Sequence, residues 1–464
     1  MKISRLFRFF SGPGLRAETR ILLGLAIPVV LSQVSHTLVG LADTLMIGQT
    51  GDVTALAASA LGNNLFSLPI VFAVGITYVL SPKISESHAR GERKACFHLL
   101  VNAALSNLLW GLVISLVLLG LLPWFDMLGQ KPEVARLAVS FLRWQIWSIP
   151  GIMLFQTFRQ FFDGLGQTRP GMFASVSANL LNVLLNYLLI YGNWGFPAMG
   201  LYGAAIANFV SRWIMGGLLA GFFFLSPSLA EWRSGNFLEE IRAETLLLLN
   251  RLGLPVAMQF IFEVGAFSFT AVLVGRLGPT SLGAHQIVIS LASVTYMMAS
   301  GISAAASIRV GHFLGLENRA MIRRSGLLSF AMASVFMLFT CGIFLGMRQI
   351  IPGWFIQDPG VVQIAAELLV IAGFFQLSDG IQVVGLGCLR GLSDVAMPTL
   401  ITLLAYWVVA IPLGYYLGIS LGLGAAGTWW ALLAGLSVSA VLMFFRFLHK
   451  SGSLTFSLKH GNVV

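Results

Sequence analysis

PVVLSQVSHTLVGLADTLMIGQTG, residues 28–51, is answered 227 positions later by PVAMQFIFEVGAFSFTAVLVGRLG, residues 255–278. Laid on each other without a gap, the two stretches place Gly48 on Gly275 and Gly51 on Gly278, and just beyond them Ala57 falls on Ala284. The spacing returns further along the chain. Gly164-Leu165 meets Gly391-Leu392 at 227, Tyr187 meets Tyr415 at 228, and Gly75-Ile76-Thr77 meets Gly301-Ile302-Ser303 at 226. Four separate segments agreeing within a residue make the chain a tandem repeat.

Each quoted stretch forms most of the ~20-residue apolar run that a helix needs to cross a bilayer. Such runs recur throughout the 464 residues, of which 57% are hydrophobic and 10% charged, with a mean hydropathy of +0.85. Soluble domains carry about 25% charged residues, so lipid is the expected solvent. Twelve windows are predicted: 21–48, 56–80, 97–122, 137–162, 171–192, 201–225, 247–275, 282–305, 326–349, 361–387, 398–420 and 424–446. The expected fold is an all-α polytopic membrane protein. Residues 1–225 form an N-lobe of six helices, 226–246 a cytoplasmic linker, and 247–464 a C-lobe of six helices and a cytoplasmic tail. Six is an even number of crossings, so both bundles share one orientation and should be related by a pseudo-two-fold along the membrane normal.

Charge sets the orientation. Twenty of the 28 Lys and Arg lie at the two termini and in every second loop, and only Lys131, Arg136, Arg276 and Arg348 lie in the alternate loops. The remaining four, Arg143, Arg159, Arg212 and Arg251, fall within or at the edges of windows. Positive charge is retained on the cytoplasmic side, which places both termini there, in a multi-pass protein of the bacterial inner membrane. The same distribution accounts for the net charge of +10 without nucleic acid, because the bases form no stripe interleaved with aromatics. The basic N-terminus is too weakly apolar for a signal peptide and shows no small-residue cleavage site. Cys96, Cys341 and Cys388 are odd in number and far apart, which suits membrane packing better than a disulfide or metal site.

Three acids inside windows are singled out: Asp43, Glu263 and Asp379. A carboxylate in hydrocarbon costs several kcal/mol, so such residues face the protein interior and mark ion or substrate paths, unless a protonated acid simply bonds a neighbouring helix. Glu263 occupies the repeat slot of His36, and Asp43 that of Thr270. His36 is either a hydrogen-bonded packing residue or a proton-sensitive group. Phe267 follows Glu263 by four residues and Phe375 precedes Asp379 by four, so each shares a helix face with its acid. An aromatic face beside a carboxylate can bind a cation, although packing accounts for most of the 35 Phe. Asn179, Asn182 and Asn186 crowd the fifth window; the last two share a face and suit a polar cavity lining.

Other chemistry finds no support. The GxGxxG at 422–427 joins two membrane windows and no βαβ unit surrounds it. There is no GxxxxGK[ST], so ATP drive would need a partner chain, and none is expected. No HExxH, paired Cys site or Ser-centred elbow suggests an enzyme.

The strings Asp43-Thr44-Leu45-Met46-Ile47-Gly48, Gly164-Leu165-Gly166-Gln167-Thr168-Arg169-Pro170, Gly283-Ala284-His285-Gln286, and Leu389-Arg390-Gly391 with Asp394 resemble the multidrug and toxic compound extrusion (MATE) family, in its NorM-like branch. With the two bundles they cover nearly the whole chain. The resemblance implies an antiporter expelling amphipathic, often cationic organic compounds against inward Na⁺ or H⁺, with no cofactor and as a monomer. It implies a C-lobe cation site of Glu263, Asp379, Phe267 and Phe375, and an N-lobe cavity lined by Asp43, Asn182 and Asn186. Phe375 departs from a position where an aromatic hydroxyl can offer an oxygen, and His36 is unusual and could give the N-lobe a proton response. Na⁺ is the expected ion, since two acids without a Lys or Arg beside them in their helices repel and a bound Na⁺ relieves that; H⁺ is the alternative. The expected mechanism is rocker-switch alternating access. A lipid-linked precursor flippase is the rival, disfavoured because the membrane-embedded charges read as mainly acidic; a channel is disfavoured by the tandem lobes and the lack of a pore-loop filter.

Overall fold

The computed structural model describes residues 13–233, 237 and 239–454. The first dozen residues, part of the 226–246 linker and the 455–464 tail, which carry part of the charge count, lie outside the described residues. Among the described residues twelve helices are long and apolar enough to cross a membrane: α1 (Gly14–Gly48), α2 (Val53–Ala89), α3 (Arg93–Phe125), α4 (Pro132–Gly164), α5 (Arg169–Tyr191), α6 (Leu201–Leu225), α7 (Ala243–Gly275), α8 (Pro279–Gly315), α9 (Arg319–Gly346), α10 (Pro359–Gly391), α11 (Ala396–Ser420) and α12 (Gly424–Ser453). Every predicted window has its helix, and the protein is a multi-pass membrane protein. Most helices outrun their windows, because hydropathy marks only the hydrocarbon-crossing part of a helix that continues into the interface.

By packing, the chain forms two compact units, one of residues 25–84 and 92–269, the other of residues 1–24, 85–91 and 270–464. The two long helices that open the repeats are therefore divided, α1 after Gly24 and α7 after Phe269. In α1 the division comes one turn before Pro28, whose missing N–H frees the Gly24 carbonyl.

Backbone detail confirms the repeat inside each unit. At the α4 C-terminus, a Cβ on Gly164 would sit 2.6 Å from both the Ser81 carbonyl oxygen and the Ile84 Cβ. At the α10 C-terminus, a Cβ on Gly391 would sit 2.8 Å from the Ser307 carbonyl oxygen and the Val310 Cβ. These partners are themselves 226 residues apart, so the same close approach of two helices is built twice. Both helices then end in the same turn: Gln167 N–H reaches the Phe162 carbonyl at 2.8 Å, and Asp394 N–H the Leu389 carbonyl at 2.9 Å. The left-handed residue within it is Gly166 (φ 77°) in one repeat and Ser393 (φ 58°) in the other.

Proline placement breaks the symmetry. Pro150 interrupts α4 between Trp147 and Ile149. Its repeat counterpart is Leu377, and α10 runs unbroken from Pro359 to Gly391. Conversely Pro412 lies in α11, where the backbone widens to π-helical turns over Leu404–Ala410 and Tyr416–Ser420, while its counterpart Leu184 lies in a regular α5. A ring without an N–H forces each helix to find another hydrogen-bond register.

Candidate functional site

The unit of residues 25–84 and 92–269 holds a polar seam between α1 and α5. Ser32, Ser35, His36 and Asp43 lie along one side of α1, and Ser175, Asn179, Asn182 and Asn186 recur at helical spacing along one side of α5. The hydroxyls of Ser32 and Ser175 are 2.8 Å apart. The Asn179 amide donates to Ser35 Oγ at 2.7 Å and lies 3.5 Å from His36 Nδ1. Further along, Asn186 Nδ2 donates to Asp43 Oδ1 and, at 3.1 Å, to Asn182 Oδ1. The structure thus brings together Asp43, Asn182 and Asn186, and sets His36 about two turns away with its ring edge against Phe155.

Helix α6 completes this site. Asn208 Nδ2 donates to Asp43 Oδ2 at 2.8 Å, and Asn182 Nδ2 reaches Asn208 Oδ1 at 3.2 Å and Ser211 Oγ at 3.1 Å. Both oxygens of Asp43 therefore accept from amides, which holds the carboxylate in a fixed orientation. Four residues after Asn208, Arg212 donates through Nη1 to Gln145 Oε1 and, at 2.8 Å, to Ser148 Oγ, with its guanidinium 5.1 Å over the Phe66 ring. It braces the break in α4. There Pro150 leaves the Ile146 carbonyl without its helical donor, and Ser115 Oγ supplies one at 2.9 Å. Trp213 Nε1 likewise takes the Trp147 carbonyl at 3.1 Å. Toward the other end of α4, Arg159 and Asp163 are both buried, 3.7 Å apart.

One expectation needs correction. Among the described residues the acids buried within the spans are not three but five, Glu18 and Asp163 joining them near the ends of α1 and α4. Glu18 is held by Arg309 through both oxygens, at 2.8 and 2.6 Å, and by Ser325 Oγ at 2.9 Å. Embedded bases stand beside these acids, with Arg159 buried and Arg212 half-buried. Glu18 and Asp163 escaped notice because they lie just outside the windows 21–48 and 137–162, where hydropathy treats them as flanks.

Glu263 is buried on α7 with Gln259, also buried, one turn before it and Phe267, half-buried, one turn after. In the unit of residues 270–464, Asp379 and Phe375 are buried on α10. The two acids thus fall in different packing units. Phe375 meets Trp429 edge-on, centroids 5.8 Å apart, and Trp429 Nε1 donates to His285 Nδ1 at 3.1 Å. The ring of Phe375 therefore packs against another aromatic. Around Asp379 stand carboxamides the sequence reading did not single out: Gln376 Oε1 accepts from Thr295 at 2.7 Å, and Gln382 Oε1 from the Tyr406 hydroxyl at 3.2 Å. Their spacing of three residues on either side of an acid is the clue that could have found them. Among the described residues no group of three or more His, Cys, Asp or Glu is placed to hold a metal ion.

The MatE family model matches the chain twice, over residues 28–188 and 255–416. The two matches begin 227 residues apart, at Pro28 and Pro255. The chain is 33% identical over 436 residues to the multidrug resistance protein MdtK of Yersinia pseudotuberculosis serotype O:1b (strain IP 31758), covering 92% of this chain and 95% of that one. Its fold is similar to the crystal structure of the eukaryotic MATE transporter AtDTX14, with a TM-score of 0.83 at 22% identity over 94% of this chain and 98% of the other. It is similar also to an outward-facing multidrug resistance MATE family transporter of the MOP superfamily, with a TM-score of 0.85 at 19% identity over 94% and 96%.

Proposed function

This chain belongs to the MatE family, and we propose that it is a secondary active antiporter exporting amphipathic, often cationic organic compounds in exchange for inward Na⁺. It is a transporter and not an enzyme, as its relatives are. The observation that carries the coupling is burial: Asp43, Glu263 and Asp379 lie in membrane-spanning helices with 8%, 3% and 3% of their surface exposed. Charge at that depth is costly and is retained for ions or charged substrates.

In this reading Glu263 with Phe267 on α7, and Asp379 with Phe375 on α10, serve the coupling ion, and Gln376 one turn before Asp379 is a source of amide oxygen. Asp43 with Asn182, Asn186 and Asn208 forms the substrate site. The ion neutralises buried charge and favours the conformation that releases substrate outward, in rocker-switch alternating access. Only a difference in affinity between the two conformations can drive such exchange. Both termini are cytoplasmic and the membrane is the bacterial inner membrane. A proton-coupled version finds support in His36, which lies about two turns from Asp43 on α1 with its Nδ1 3.5 Å from the Asn179 amide.

Reconstituted in liposomes, the protein is expected to expel a cationic dye when a NaCl gradient is imposed at equal pH, with Li⁺ substituting and K⁺ not. Glu263→Gln and Asp379→Asn should each insert normally and lose this efflux. Efflux driven by a pH gradient alone, indifferent to Na⁺, would move the coupling to Asp43 or Glu263, and His36→Gln should then shift the pH profile. Wild-type efflux in both acid variants would remove the ion site.

A further inference from the structure

Helix α4 carries charge where a membrane-spanning helix should carry none. Arg136, Ser140 and Arg143 recur at i, i+4 and i+7 and so share one face, and all three are exposed. Arg143 stands eleven residues into α4, about 16 Å from Pro132 at 1.5 Å per residue. The 33 residues of α4 span about 50 Å against a hydrocarbon core of about 30 Å. The guanidinium is thus within a side chain's length of the headgroup level on the outward-facing surface of the helix. Trp124, exposed at the end of α3, is of the residue type that concentrates at that level.

Neither arginine forms an ion pair or hydrogen bond among the described residues, and Ser140 Oγ donates only to the Arg136 carbonyl of its own helix, at 3.0 Å. The three side chains instead line one open groove of about 670 Å³, whose other walls include Leu119, Leu122 and Val139. Two cations and a hydroxyl at the rim of an apolar trough match a phosphate attached to acyl chains. The feature belongs to one repeat only. The corresponding positions on α10 are Gln363, Glu367 and Val370, which carry no positive charge.

We propose that the α3–α4 groove binds an anionic phospholipid, its phosphate held by Arg136 and Arg143 and its chains lying along Leu119, Leu122 and Val139. A juxtamembrane Arg contributes enough attraction to anionic lipid that removing two should weaken binding about ten- to thirty-fold. Neither residue belongs to the ion or substrate site, so the proposal stands apart from the transport reading.

The test is thermal unfolding of delipidated full-length protein with dioleoylphosphatidylglycerol, with dioleoylphosphatidylcholine, or with inorganic phosphate. Phosphatidylglycerol should raise the Tm by several degrees, and the other two should not. Arg136→Gln/Arg143→Gln should unfold like wild type without lipid and need at least about ten times more phosphatidylglycerol for the same rise. Arg143→Lys, which keeps the charge, should retain most of the response. An equal response to phosphatidylcholine, a full response to phosphate alone, or an undiminished response in the double variant would each overturn the proposal.

Discussion

The two repeats share their backbone contacts and disagree about where polarity belongs. In the first, polar side chains crowd α1, α5 and α6: Asp43, Asn182, Asn186, Asn208 and Arg212. At the matching places in the second stand Thr270, Ala410, Gly414, Leu432 and Leu436, all buried. The helix pairs α5–α6 and α11–α12 can be aligned because Gly203 closes on the Leu189 carbonyl as Gly427 closes on that of Leu417. In the second repeat polarity moves to α10, as Gln376, Asp379 and Gln382, whose counterparts in α4 are Ile149, Ile152 and Phe155. Duplication supplied one scaffold twice, and each copy buried its charge between different helices. The first ended with one acid hydrogen-bonded to amides and with an arginine bracing a neighbouring helix, the second with buried acids on α7 and α10, Glu263 and Asp379. That division suits an exchanger with unlike cargoes.

The shared scaffold can be attacked at one point in each repeat. Gly164→Val and Gly391→Val both drive side-chain atoms into a backbone carbonyl and a neighbouring Cβ, an overpacking expected to cost about 1–3 kcal/mol each. Thermal unfolding followed by tryptophan fluorescence should show comparable losses. If one valine is tolerated and the other is not, the two crossings are not equivalent.

The difference between repeats has a smaller, one-sided consequence. Ser115 caps the Ile146 carbonyl that Pro150 leaves free, so Ser115→Ala should destabilise by about 1–2 kcal/mol. Its counterpart Cys341 faces an α10 with no proline at the matching place, and Cys341→Ala should stay within about 0.5 kcal/mol. The same melting experiment decides both. A neutral Ser115→Ala would mean that the break in α4 holds without its cap.

The architecture could be read from the sequence because a repeat and a hydropathy period are both written locally. Asn182 and Asn186 could be paired from their spacing of one turn, whereas only the family resemblance groups Asp43 with them. Asn208 and Arg212 could not be added, because their relevance depends on how α6 rotates toward α1 and α4, which packing decides. The π-helical turns of α11 were foreshadowed by Pro412, but a proline announces a disturbance without specifying its register. Glu18 and Asp163 were overlooked because polar residues at helix ends look solvated until tertiary contacts bury them. The coupling ion lies further still from the sequence, since two carboxylates serve Na⁺ and H⁺ alike.

The division of labour between the repeats can be measured on the purified protein by titrating NaCl in a choline buffer and recording the heat of binding. Wild type and Asp43→Asn are expected to bind Na⁺ with similar affinity, whereas Asp379→Asn should show no saturable heat. Loss of Na⁺ binding in Asp43→Asn with binding intact in Asp379→Asn would contradict the assignment of ion to the second repeat and substrate to the first.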